Sequence, residues 1–311
     1  MSGDEMKNRI NRRDFLKYQV TGAVCLTSGL MAPNLLFAES PPDIAVAEGK
    51  PAAATRAAVA ALGGISRFVK KGQRVVIKPN MSFPVPPERA SNTHPEVVRE
   101  LAALCREAGA DRVLVLDNPL GPAELCMETS GIAEACEVID RRMVHMVSDP
   151  SQYSEKRIPD GKSLTETDIM KEVLSADVLI AAPVAKSHSG AGVSLSMKGM
   201  MGLIYNRMVL HRRDLHTAIV DLSTILKADL SVVDATRVLS TGGPGGPGKV
   251  LHPNKVIASA DMVAADAYTV SAFEWYGKSY RPDQVRHIRE AHARGLGRMD
   301  LDNLRIKTVT A

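Results

Sequence analysis

Aromatic residues are scarce. Phe, Trp and Tyr make up 4% of the 311 residues, with a single Trp, so Val, Leu, Ile, Ala and Met must fill the core. Charge of one sign is scarce too. The formal net charge is +4. Residues 1–38 carry +2 of it (Lys7, Arg9, Arg12, Arg13 and Lys17 against Asp4, Glu5 and Asp14), which leaves +2 for the rest. A balance that small argues against a nucleic-acid binder, which needs a basic face to neutralise phosphates. Cysteine is limited to four residues, with no Cys-x-x-Cys and no ferredoxin-type run, so no iron–sulfur or structural zinc motif is present. Beyond residue 38 three remain, Cys105, Cys126 and Cys136, an odd number that permits at most one internal disulfide. The Cys126/Cys136 spacing admits one in an oxidising compartment. The P-loop and the dinucleotide Gly-x-Gly-x-x-Gly are both absent. Ser194, Ser196 and Lys198 do not form a Ser-x-x-Lys pair.

The first forty residues carry an ordered set of signals. Asn11-Arg12-Arg13-Asp14-Phe15-Leu16-Lys17 precedes a weakly apolar stretch, Tyr18 to Phe37. Thr21, Gly22, Thr27, Ser28, Gly29, Pro33 and Asn34 interrupt that stretch, which makes it too polar for a stable transmembrane helix. Leu36-Phe37-Ala38 supplies a small residue for cleavage after Ala38. The segment resembles a twin-arginine export signal. It implies domain boundaries of 1–38 for the signal and 39–311 for the mature domain. It also implies the twin-arginine machinery as a partner and a periplasmic or other extracytoplasmic location. That route carries folded proteins, often with a cofactor already bound.

Past residue 38 the pattern alternates. Strands are expected at Asp43–Glu48, Arg74–Lys78, Arg112–Leu116, Met143–Val147, Asp177–Ala182 and Asp229–Asp234, with another inside Lys249–Ala258. Helices are expected at Pro51–Phe68, from Thr93 as cap to Ala108, at Glu124–Cys136 with a break at Gly131, and at Asp168–Leu174. Further helices are expected at Ser194–Ile204, Leu215–Leu226, Met262–Trp275 and Pro282–Arg294. Ser148–Ser163 reads as a surface excursion, Lys186–Gly192 as a Gly/Ser loop, and Gly242–Gly248 as a lid or wall. The strand–helix–strand rhythm predicts a single large α/β domain with a mainly parallel sheet flanked by helices.

Several segments carry a resemblance in order: Lys78-Pro79-Asn80, Thr93-His94-Pro95, Pro183 to His188, Ser194 to Gly202 with Lys198, Asp214-Leu215-His216 and Asp221-Leu222. Asp234, the Gly242–Gly248 loop and Ala260 to Ala267 follow. From about Asp43 to Tyr276 the chain resembles the domain of unknown function 362 family. That family's members often carry a ferredoxin-like cluster domain, whose cysteine runs this chain lacks. The resemblance implies a fold and a site location, not a reaction.

In open parallel sheets ligands gather at the carboxyl ends of strands. Lys78-Pro79-Asn80, Asp117-Asn118, Pro183 to His188 and Asp234 to Arg237 all end strands, and parallel order would bring them to one rim. Lysines there hold anions or, desolvated, act as bases. Histidines move protons or bind metals. The expected catalytic residues are Lys186, His188, His216 and Asp234. Lys78, Asn80 and Lys198 are the expected ligand-binding residues. Lys186 and Lys198 would hold a small anion, a carboxylate or phosphate. His188 or His216 would move the proton and Asp234 would orient it. A bound metal and a non-catalytic role beside a periplasmic redox partner both stay open, and the cofactor is unknown.

Overall fold

The structure is a computed structural model and describes residues 40–311; the twin-arginine segment and its cleavage point lie outside them. Fifteen strands are found among the described residues. The first is β1 (Ile44–Glu48), followed by β2 (Arg74–Pro79), β3 (Arg112–Asp117) and β4 (Val144–Met146). Next are β5 (Tyr153–Arg157), β6 (Glu166–Met170), β7 (Val178–Ala182), β8 (Val184–His188) and β9 (Gly192–Ser194). Then come β10 (Leu230–Leu239), β11 (Val250–Leu251) and β12 (Lys255–Ser259), and last β13 (Glu274–Trp275), β14 (Lys278–Ser279) and β15 (Ile306–Thr310).

The main sheet runs β15-β1-β12-β10-β7-β2-β3-β4. Every pairing along that path is parallel except the two made by β12, which is antiparallel to both neighbours. Central strands are buried on both faces and read as continuous apolar runs, as a covered parallel sheet requires. Val178-Leu179-Ile180-Ala181-Ala182 is buried throughout. Alternation then sorts the side chains. Val75, Ile77, Val113, Val115, Val178 and Ile180 face one layer, while Val76, Leu114, Leu116, Leu179 and Ala181 face the other.

The first layer holds α1 (Pro51–Ala61) and α2 (Pro95–Glu107). Helix α2 buries Val97, Val98, Leu101, Ala102, Leu104 and Cys105, a stripe at helical spacing. Full burial of each large member is worth about 1.5–3 kcal/mol. Two short helices, α3 (Ala123–Ser130) and α4 (Ile132–Cys136), follow, and the expected break at Gly131 is present at φ 68°. The second layer contains α5 (Ser196–Gly199), α6 (Leu215–Ile225), α7 (Met262–Ala272) and α8 (Arg286–Ala293). No helix among the described residues is long and apolar enough to cross a membrane. Cys105, Cys126 and Cys136 are buried free thiols.

Several expected elements differ. Lys186 and His188 lie on a strand, not in a Gly/Ser loop. Pro183 ends β7, but the chain stays extended as β8, alongside β10 and antiparallel to β9. The Met-rich segment from Ser194 is a single helical turn followed by 3-10 turns at Met200–Leu203. Ser148–Ser163 contains β5, which pairs with β6 (Glu166–Met170), so the helix expected over Asp168–Leu174 is confined to Lys171–Leu174. Helix α2 is capped by His94, whose Nδ1 accepts the Glu96 N–H at 3.2 Å. Thr93 instead joins two strand ends, accepting the Asn80 N–H at 2.8 Å and donating to Ala182 O at 2.7 Å.

Candidate functional site

The carboxyl ends of β2, β3 and β7 do meet, and β8 carries the rim further. Asn80 Oδ1 accepts the Val184 N–H at 3.0 Å and so ties β2 to the start of β8. Beside this junction lies a cavity of about 100 Å³. Lys78, Asn80, Lys186, His188 and Lys198 all line it, together with Asp117 and Arg207. Phe83 and Pro244 lie on its wall, so the Gly/Pro loop contributes a residue to it. That loop is fixed on β8: the Gly243 N–H donates to Ser187 Oγ at 3.0 Å, and a Cβ on Gly243 would fall 2.0 Å from Ser187 O.

The charges do not balance. Lys78, Lys186 and Lys198 are each at least nine-tenths buried, and Arg207 is half-buried. Asp117 is the one carboxylate on the wall, and it is fully buried. Asp117 is already committed: Oδ2 accepts the Met81 N–H at 2.9 Å and the Ser82 hydroxyl at 2.7 Å, and Oδ1 accepts the Asn118 N–H at 2.9 Å. Its Oδ1 also lies 3.3 Å from Lys78 Nζ. Gly202 makes that pair possible, because a Cβ there would sit 2.2 Å from Asp117 Oδ1 and 2.3 Å from Lys78 Cε.

Burial works against the remaining positive charge. It lowers Lys78, with Asp117 pulling the other way, and lowers Lys186 well below the usual lysine range, helped by the fields of Lys78 and Lys198. Lys198 is brought down to about 7, by burial first and by Arg207 second. His188 falls to about 3, again from burial and then Lys198. Its geometry agrees. His188 Nδ1 accepts the N–H groups of Gly190 and Ala191, both at 3.1 Å, across the β8–β9 turn. A ring held that way is neutral and carries its proton on Nε2. It is a hydrogen-bond donor rather than a base, which does not fit the proton-moving role expected of it.

Two expected residues are not brought to the cavity. His216 stacks on His287 with ring centroids 5.6 Å apart and their Nδ1 atoms 3.3 Å apart. Asp234 is fully buried and latches the sheet to α2. It accepts the His94 N–H at 2.7 Å, Arg237 Nη2 at 2.9 Å and the Thr236 hydroxyl at 2.6 Å. No histidine side chain is among its partners, so it orients none. Four of the eight histidines form two stacked pairs, His188 with His211 and His216 with His287. No group of three or more His, Cys, Asp or Glu among the described residues is arranged to hold a metal ion.

The profile of the domain of unknown function DUF362 matches residues 75–271. The chain belongs to this family. That match spans the strands and turns that build the cavity, from β2 to α7. A curated relative, the thylakoid-associated protein sll1697 of Synechocystis sp., is 29% identical over 224 residues, 69% of this chain and 67% of that protein. Among solved structures, the lactate racemase apoprotein from Thermoanaerobacterium thermosaccharolyticum is similar at a TM-score of 0.42 and 14% identity. That likeness covers 72% of this DUF362 chain, which spans about half (55%) of the racemase chain.

Sequence reasoning missed Arg207 and Gly202 as site residues and read His211, which also lines the cavity, as a structural or surface histidine. Arg207 and His211 follow the 3-10 turns in a segment without apolar periodicity. Gly202 gives a weak signal as a glycine inside a Met-rich run, where close approach of another group is the usual reason to have no Cβ.

Proposed function

We propose that this chain binds a small anion, a carboxylate or phosphate, in the cavity beside β2 and β8, and does so outside the cytoplasm after twin-arginine export. One observation carries the binding claim: three lysines and an arginine line about 100 Å³ around a single carboxylate that is already fully engaged, so an anion entering there would let the lysines hold their protons. An anion would supply the missing charge where water is largely excluded and pairing is strong. Size narrows the class. An apolar cavity of about 150 Å³ holds benzene, so the part of a ligand that enters here is a few heavy atoms. Lys198, near neutrality, would exchange a proton with such a ligand, and His188 Nε2–H would donate a hydrogen bond.

Thermal denaturation with phosphate, acetate and short hydroxy or oxo acids tests this reading. A bound anion at about a hundred times its Kd stabilises by about 2.7 kcal/mol. Acetate should raise the melting temperature and acetamide should not, and Lys186→Met should abolish the shift. Equal shifts from the neutral analogue, or none from any anion, would remove the claim. Export is tested by locating the chain in cell fractions when Arg12 and Arg13 are both replaced by Lys.

A further inference from the structure

The three buried lysines differ in what their amines touch. Lys78 Nζ lies 3.3 Å from Asp117 Oδ1 and also donates to Pro79 O. Lys186 Nζ donates to Ser91 O at 2.6 Å and sits 4.9 Å from the centre of the Phe83 ring. Lys198 Nζ has neither oxygen nor ring. Its hydrogen-bond partner is the thioether sulfur of Met201, at 3.7 Å. A thioether is a weak acceptor, and a buried ammonium beside it leaves strong donors unmet. The uncharged amine is the form this position accepts. Its burial and the neighbouring Arg207 act the same way, holding the amine near 7. A desolvated lysine beside other cations keeps its lone pair available for attack on a carbonyl.

We propose that Lys198 is a nucleophile that forms an imine with a short 2-oxo carboxylate, whose carboxylate is held by the neighbouring cations of the cavity. The inference rests on the anion-binding reading above and names the ligand class for that site. The carboxylate satisfies the unbalanced cations, and the adjacent carbonyl is the electrophile. The Lys198 nitrogen attacks the carbonyl carbon, a C–N bond forms, and the C–O π pair moves to oxygen, which takes a proton from nitrogen. The resulting carbinolamine then loses its hydroxyl together with the remaining N–H proton as one water, leaving C=N. No oxidant or reductant takes part. His188, held as the Nε2–H tautomer on the cavity wall, is the kind of donor that the developing oxygen charge needs.

The test incubates the full chain with pyruvate and sodium cyanoborohydride, which reduces an imine to a stable secondary amine. The adduct is then located by peptide mapping, and the melting temperature is read with pyruvate alone. The expected result is labelling at Lys198 at least about tenfold above any exposed lysine, with acetone, which lacks the carboxylate, labelling it at least about tenfold less. Lys198→Arg places a permanent cation there, has no amine lone pair to attack with, and should lose the label. The map is read on the wild-type chain, so it stands even where that variant fails to fold. If pyruvate raises the melting temperature but Lys198 stays unlabelled, or labelling simply follows exposure, the nucleophile is overturned and anion binding survives. If pyruvate neither stabilises nor labels while phosphate or acetate still stabilises, the 2-oxo acid is overturned and anion binding survives; if no anion stabilises, both claims fall.

Discussion

A lysine amine in a dry cavity makes stability depend on pH. The folded chain holds Lys198 near 7, while an unfolded chain holds it near its usual 10.5. Between those values the unfolded state binds the extra proton, so stability rises with pH across that window, and the cost is fully present below about 7. Lys78 and Lys186 are shifted in the same direction. Asp266 runs opposite. Burial raises it to about 7 although it accepts the N–H groups of Ser196 and Met197, so its cost grows as pH rises from the ordinary carboxylate range to 7. Lys198→Met should therefore raise stability at pH 7 and flatten the rise between pH 7 and 10. Urea denaturation at a series of pH values checks both, and an unchanged slope would place the lysine in water. The strand-end lysines were legible because parallel strands share a rim. The state of each amine was not, since it depends on whether oxygen, ring or sulfur lies opposite, which spacing along the chain does not encode.

At the scale of elements, Asp234 is a latch between β10 and α2. It joins the His94 N–H, at the cap of α2, to Arg237 on β10, and Arg237 also donates to Asn92 O at 3.3 Å. Asp234→Ala would leave the Arg237 guanidinium buried without its counter-charge, a loss of about 3–5 kcal/mol. Equilibrium unfolding measures that loss. The anion-induced thermal shift should persist in whatever fraction folds, because Asp234 does not line the cavity. A variant that stays stable but no longer responds to anions would return Asp234 to the site. Most long elements could be read from their periodicity, as with α2 and β7. Element β8 could not, because Val184-Ala185-Lys186-Ser187-His188 carries the polar residues of a loop on an extended, fully buried backbone. Hairpin β5–β6 was hidden for a similar reason: Ser154, Glu155, Lys156 and Arg157 on one strand and Glu166, Thr167 and Asp168 on the other leave little apolar alternation.

For the whole molecule, the three-layer α/β arrangement follows from strands that are apolar throughout alternating with amphipathic helices. The strand expected inside Lys249–Ala258 is there as β12, but its antiparallel direction was not legible, because pairing direction is set by connections across the chain; the late strand β15 was not expected at all. Export is a property of this scale as well. If the twin-arginine reading holds, the Arg12→Lys, Arg13→Lys double variant should remain in the cytoplasmic fraction, folded and still responsive to anions. Its appearance outside at the wild-type level would defeat that reading.

Strand β1 has two partners, and both come from far along the chain: β12 at Lys255–Ser259 and β15 at Ile306–Thr310. During translation the earliest strand of the sheet is therefore a bystander for more than two hundred residues. Loop-closure entropy sets a toll on that pairing that no local turn can reduce. The ribosome must have delivered the chain as far as Ser259 before its opening strand has a place to dock.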